Sequence, residues 1–164
     1  MNRGPRSANV PGVSTSLREI EADLGPVVEF MRHLWAVEFA LQSVSKRMAS
    51  RLGITGQQRL IVLVLGRIEQ VSPGALARIL HVHPSTLTFN LQALEDGGII
   101  AREYDRLDAR RAILSLTTRG RSIYRRKKGT VEDAVRRVLE EFPEEAHAAQ
   151  KVLTRLAVVL EEED

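Results

Sequence analysis

The chain has 164 residues, a formal net charge of +3, 43% hydrophobic and 4% aromatic residues, and no cysteine. That length suits one domain, with apolar content for a core that buries roughly 70% of the unfolded surface. The lack of cysteine excludes a disulfide framework, a zinc ribbon and thiol-oxidation sensing. No apolar run approaches the ~20 residues that cross a bilayer, and the N-terminus lacks the apolar stretch of a secretory signal. A cytoplasmic location, with no membrane partner, is the default expectation. Few aromatics mean a core of Leu, Val, Ile and Ala, as in helical proteins.

The modest net charge hides a segregation. Ile99 to Lys128 carries ten Lys/Arg against three acids, while Thr130 to Asp164 carries four against ten. A basic centre and an acidic tail suit a protein that presents one face to a polyanion. Two solvated helix faces of opposite composition would look the same.

Residues 1–16 hold Gly4, Pro5, Pro11 and Gly12 with little to bury, and are expected to be a disordered tail. From Leu17 to about Leu52 a helical pattern runs through Leu24, Val28, Met31, Trp35, Leu41 and Met48. Gly25-Pro26 interrupts it, which predicts a short lead helix and a longer main one. Trp35 and Phe39 lie four apart on one face, as core, as subunit interface, or as the lining of a small-molecule pocket. Thr55-Gly56-Gln57-Gln58 resembles a capping box that opens a helix over Arg59 to Glu69. Its run Leu60-Ile61-Val62-Leu63-Val64-Leu65 belongs at the centre of the fold. By propensity that run also suits a buried strand, but the capping box favours helix.

Ser72-Pro73 starts the next helix, with Ala75, Leu76, Ile79 and Leu80 as its apolar face. His81-Val82-His83 breaks the pattern and Pro84 restarts it. In the second helix Leu87, Leu91 and Leu94 pack inward, leaving Ser85, Thr86, Thr88, Phe89, Asn90 and Gln92 on the other faces. Gly97-Gly98 ends it. Two short helices joined by a tight turn, the second uncharged on its outer face, suit a helix-turn-helix. Ile99 to Tyr104 then reads as a strand and Ala112 to Leu116 as its return. The loop between them holds Arg106, Arg110 and Arg111. A basic hairpin after a helix-turn-helix is a wing, placed to reach a phosphate backbone or a minor groove. Thr117 caps a helix expected to run from Thr118 to Glu141, bent or weakened at Gly129. Pro143 opens a last helix whose stripe includes Ala149, Val152, Leu153, Leu156 and Leu160.

Four stretches occur in order at compatible spacing. They are Ser85-Thr86-Leu87-Thr88, Leu94-Glu95-Asp96-Gly97-Gly98, Asp108-Ala109-Arg110 and Leu116-Thr117-Thr118-Arg119-Gly120. In this the segment resembles the winged helix-turn-helix of the MarR family of bacterial transcription regulators. One position departs, since Phe89 stands where the family often has a basic residue. The resemblance implies a mainly α fold, a winged helix-turn-helix with long N- and C-terminal dimerisation helices and a two- to three-stranded β wing. Residues 17–54 would then be dimerisation helices, 55–120 the DNA-binding lobe, and 121–164 C-terminal dimerisation helices. It also implies a homodimeric, sequence-specific regulator, a repressor by preference, that binds pseudo-palindromic operator DNA without a cofactor. A small aromatic or anionic effector would bind between the dimer helices and the DNA-binding lobe. A winged-helix module that holds a protein instead of DNA is the competing reading.

The residues offer a mechanism for the first of these. Ser85, Thr86, Thr88, Asn90 and Gln92 are short donors and acceptors suited to base edges in a major groove. Ser85 would serve equally as a helix cap. Phe89 either meets thymine methyl groups or turns back into the core. His83, in the turn, suits a phosphate. Arg110 has a planar fork for phosphate or a narrow minor groove, with Arg106, Arg111 and one of Arg119 and Arg121 as further phosphate contacts. Asp108 is expected to pair with an arginine and hold the loop, as in the family. Enzyme chemistry has no constellation here. His33, His81, His83 and His147 are scattered, no metal-ligand pattern appears, and Gly97-Gly98 ends a helix where a phosphate loop would begin one.

Overall fold

The computed structural model describes residues 24–68, 70–104 and 112–162. The chain divides into two compact units, residues 1–39 and 40–164. A long helix, α1 (Gly25–Leu52), begins in the first of them. Gly25, at φ +70°, starts it, so the expected break at Gly25-Pro26 is its beginning. The expected lead helix lies outside the described residues. The part of α1 within residues 25–39 is exposed along most of its length, Val27, Phe30, Trp35 and Phe39 included.

In the second unit the end of α1 buries Met48, and the chain turns at Gly53 into α2 (Gly56–Leu65). The capping box is present. The Gln58 amide donates to Thr55 Oγ1 (3.2 Å) and the Thr55 amide donates to Gln58 Oε1 (3.0 Å). The apolar run divides by helical period, because Ile61, Val62 and Leu65 are buried while Leu60 faces solvent. α2 ends four residues short of Glu69. The Gly66 amide closes the last turn on the Val62 carbonyl, and the Tyr124 ring lies so close that a Cβ on Gly66 would collide with it.

Ser72 caps α3 (Pro73–Leu80), accepting from the Ala75 amide at 3.3 Å. Its buried face is centred on Leu76 and Ala77. Ile79, expected to point inward, lies on the flank of that face and is exposed. His81 ends α3 in the left-handed conformation, φ +51°, and Pro84 opens α4 (Pro84–Asp96). Leu87, Leu91 and Leu94 of α4 are all buried. Gly97 and Gly98 end it, the latter at φ +61° with its amide on the Glu95 carbonyl at 2.8 Å.

The chain then forms an antiparallel hairpin, β1 (Ile100–Tyr104) and β2 (Ala112–Leu116), with Ile100 opposite Leu116 and Tyr104 opposite Ala112. Val71 adds a third, one-residue rung, its carbonyl accepting from the Leu114 amide at 2.9 Å. Thr117 caps α5 (Thr118–Tyr124), its hydroxyl accepting from the Gly120 amide at 3.1 Å. Gly120 packs against the Ile99 carbonyl, where any Cβ would collide. That close approach explains the glycine at the end of Leu116-Thr117-Thr118-Arg119-Gly120.

The helix expected over Thr118 to Glu141 is in fact two, α5 and α6 (Val131–Glu141). Two causes act between them. Gly129 sits at φ +74°. The other is Arg59 on α2. Its guanidinium takes the carbonyls of Ile123 (2.6 Å), Tyr124 (3.3 Å) and Arg126 (2.6 Å), satisfying acceptors at a helix end. α7 (Pro143–Glu162) follows and packs on α6, and neither helix holds a fully buried residue. No helix among the described residues is long and apolar enough to cross a membrane.

Candidate nucleic-acid interface

α4 has an open outer face. Its inner face is tied down by Leu87, Leu91 and Leu94, which pack in one cluster with Leu76 of α3, Ile61 and Val62 of α2, and Leu114 of β2. A rigid support of this kind lets the opposite face be held at a fixed angle to a partner. His83, Ser85, Thr86, Thr88, Phe89 and Gln92 all stand exposed.

The polar groups on this face are mostly engaged within the helix. His83 is the N-cap: its Nδ1 accepts from the Ser85 amide (3.3 Å) and lies 2.7 Å from Ser85 Oγ. The cap is therefore His83 and not Ser85. With Nδ1 accepting, Nε2 carries the ring proton and remains a donor. The Thr88 hydroxyl donates to the Pro84 carbonyl (2.8 Å), and the Gln92 amide donates to Asp96 Oδ1 (2.8 Å). Asn90 departs from its expected place on the outer face. It is only 7% exposed, and its side-chain amide donates to the Thr86 carbonyl at 3.0 Å. Its position, three after Leu87 and four before Leu94, turns it toward the packed side of the helix. Phe89 points outward, with 76% of its surface exposed, and the alternative of a core role falls away.

α4 carries no lysine or arginine and two acids, Glu95 and Asp96, at its C-terminal end. Neighbouring arginines answer that charge. Arg102 of β1 pairs with Glu95 (2.8 Å), and Arg119 of α5 donates to the Gly97 carbonyl (2.7 Å). Both are thus tied to the end of α4, while Arg121 is exposed without a partner among the described residues. The four wing residues, Arg106, Asp108, Arg110 and Arg111, lie outside the described residues. The described strands set where that loop leaves and returns, at Tyr104 and Ala112. Trp35 and Phe39 are both exposed on α1.

One residue of consequence was not marked by its sequence pattern. Arg59, 1% exposed, makes an ion pair with Glu132 of α6 as well as its three carbonyl bonds. Glu132 Oε2 is buried without a hydrogen-bond partner. The one available signal was a cation beside an all-apolar helical run, which helical period alone assigns to solvent as readily as to the core.

The MarR family profile matches residues 52–111. The chain is 31% identical over 106 residues to the HTH-type transcriptional repressor Mb2911 of Mycobacterium bovis, covering 65% of this chain and 76% of that one. It is equally similar to the HTH-type transcriptional repressor Rv2887 of Mycobacterium tuberculosis. Among solved structures, the MepR–DNA complex of S. aureus superposes with a TM-score of 0.66 at 20% identity, over 79% of this chain and 97% of that one. Streptococcus pneumoniae FabT in complex with DNA gives 0.61 at 25% identity, over 85% and 100%.

Proposed function

The chain belongs to the MarR family of DNA-binding, repressor-like transcription regulators, and on that premise we propose that it is a homodimeric repressor of a pseudo-palindromic operator. The observation that carries the proposal is α4. It is a short helix fixed by a buried leucine row, exposed on its outer face, and followed by a hairpin with an arginine-bearing tip. Such a helix fits a major groove, and such a hairpin reaches the backbone beside it. In this proposal Arg106, Arg110, Arg111 and Arg121 contact phosphates. His83 Nε2 adds a donor at the start of α4.

The dimer part of the proposal rests on unpartnered apolar faces. Val135, Val138 and Leu139 of α6 and Val152, Leu153 and Leu160 of α7 are exposed, as are Trp35 and Phe39 on α1. Helices with wide apolar stripes are stabilised by a partner that covers them. A second copy would supply one and set two recognition helices about 34 Å apart, one turn of DNA. Trp35 and Phe39 also offer an aromatic surface to an aromatic or anionic effector.

Binding to operator fragments selected from random duplex DNA tests the function directly. Affinity should fall on the order of tenfold or more between 50 and 200 mM salt, because several phosphate contacts release counterions. Arg110→Ala should weaken binding to every sequence or relax preference only at flanking A·T positions. A flat salt response, or equal affinity for selected and bulk DNA, would remove the proposal.

A further inference from the structure

A lone exposed apolar side chain is ordinary on a protein surface. What gives Phe89 meaning is the chemistry around it. It is the most exposed large apolar side chain among the described residues, and it sits midway along the open face of α4. That helix carries no lysine or arginine, so it has no cationic fork for guanine O6 and N7. Its side-chain donors are largely committed to the helix itself. Thr88 bonds the Pro84 carbonyl, Asn90 is buried on the Thr86 carbonyl, and Gln92 bonds Asp96. One turn beyond Phe89 on the same face stands Ala93, exposed and bearing only a methyl group. The middle of the surface α4 offers a groove is therefore apolar, with the Thr86 hydroxyl and His83 Nε2 as donors toward its start.

Thymine's C5 methyl is the apolar feature that base pairs present in the major groove. We infer that Phe89 makes this protein a reader of thymine methyl groups, with Phe89 packing on the methyl of at least one thymine in each half-site. Specificity at that position is carried by apolar contact in place of a charged bidentate bond. The inference rests on the reading of α4 as the DNA-recognition helix and names what that helix recognises. Glu95 and Asp96 lie at the far end of α4, so the half that holds Phe89 is the half that an anionic duplex tolerates.

The experiment uses the full chain and an operator selected by it from random duplexes. Each thymine of the half-site is replaced in turn by deoxyuridine, which removes the methyl group and keeps every hydrogen bond. At one or two positions the replacement should weaken binding about fourfold for each methyl group taken away from Phe89. Phe89→Ala should lose a similar factor on thymine DNA and become indifferent to deoxyuridine at those positions. Because Phe89 is exposed, that variant should keep the wild-type circular dichroism and melting temperature. The inference is overturned if wild-type binding ignores deoxyuridine at every position, or if the penalty persists undiminished in Phe89→Ala. Failure to select any sequence would be a different result. It would remove the DNA-recognition reading, and this inference with it.

Discussion

Two regions of the second unit solve the burial problem in opposite ways. Every buried apolar side chain among the described residues lies between Met48 and Ile123, and all but Met48 belong to one cluster spread over α2, α3, α4, the hairpin and α5. α6 and α7 carry apolar stripes of their own, yet neither buries a residue. The lobe is held by its own core. Beyond the first turn of α6, the two C-terminal helices bury no apolar side chain against the lobe, and amphipathic pattern alone is a weak source of helix stability. Arg59 and Glu132 join the two regions. A charge buried in the lobe finds its counter-ion at the first turn of α6, so the lobe's electrostatics depend on where α6 begins.

That tie is where the comparison breaks first. Glu132→Ala should leave Arg59 buried without its anion and destabilise the protein by about 4 kcal/mol in urea unfolding, with α6 losing its anchor. A cost below about 1 kcal/mol would mean that the three carbonyls alone satisfy Arg59.

Core truncation separates the regions next. Leu94→Ala, at a position with 0% exposure, should cost about 3 kcal/mol. Leu153→Ala on the half-exposed stripe of α7 should cost less than about 0.5 kcal/mol for an isolated chain. If instead Leu153→Ala costs as much as Leu94→Ala, and the cost grows with protein concentration, α7 is buried by a second copy.

The third test places a charge in the same stripe. Leu153→Glu should weaken self-association at least about tenfold, read by sedimentation, while the lobe keeps its helical far-UV signal. Trp35, the single tryptophan, reports independently on cover over α1. Its emission should shift to longer wavelength as the wild type is diluted through dissociation. An unchanged sedimentation profile in Leu153→Glu would exclude this stripe from any interface.

A local effect is expected inside the lobe. Thr117→Ala removes the cap on α5 and the bonds from its hydroxyl to the carbonyls of Gly98 (2.8 Å) and Ile99 (3.1 Å). It should cost about 1–2 kcal/mol. Hydrogen exchange should quicken at the base of the hairpin while α6 and α7 are unaffected.

Much of this was legible in the sequence because it is written in local chemistry. The capping box at Thr55, the Ser72-Pro73 start, the Leu87-Leu91-Leu94 row, the glycines after Asp96 and the cap at Thr117 each act over a turn or two of chain. They appear where the residues place them. The pattern that carries the MarR resemblance is of the same local kind, and Gly120 has a steric reason in the Ile99 carbonyl. Tertiary structure decided the rest. Asn90 was read by its polarity as an outer-face residue, and the fold buries it on the side of Leu87 and Leu94. The stretch from Thr118 to Glu141 looked like one helix until Arg59, far earlier in the chain, claimed the carbonyls at its middle. Phe89 was ambiguous for the same reason. Whether an apolar side chain is core or surface depends on what the fold brings beside it, and a one-dimensional pattern records only its neighbours in sequence.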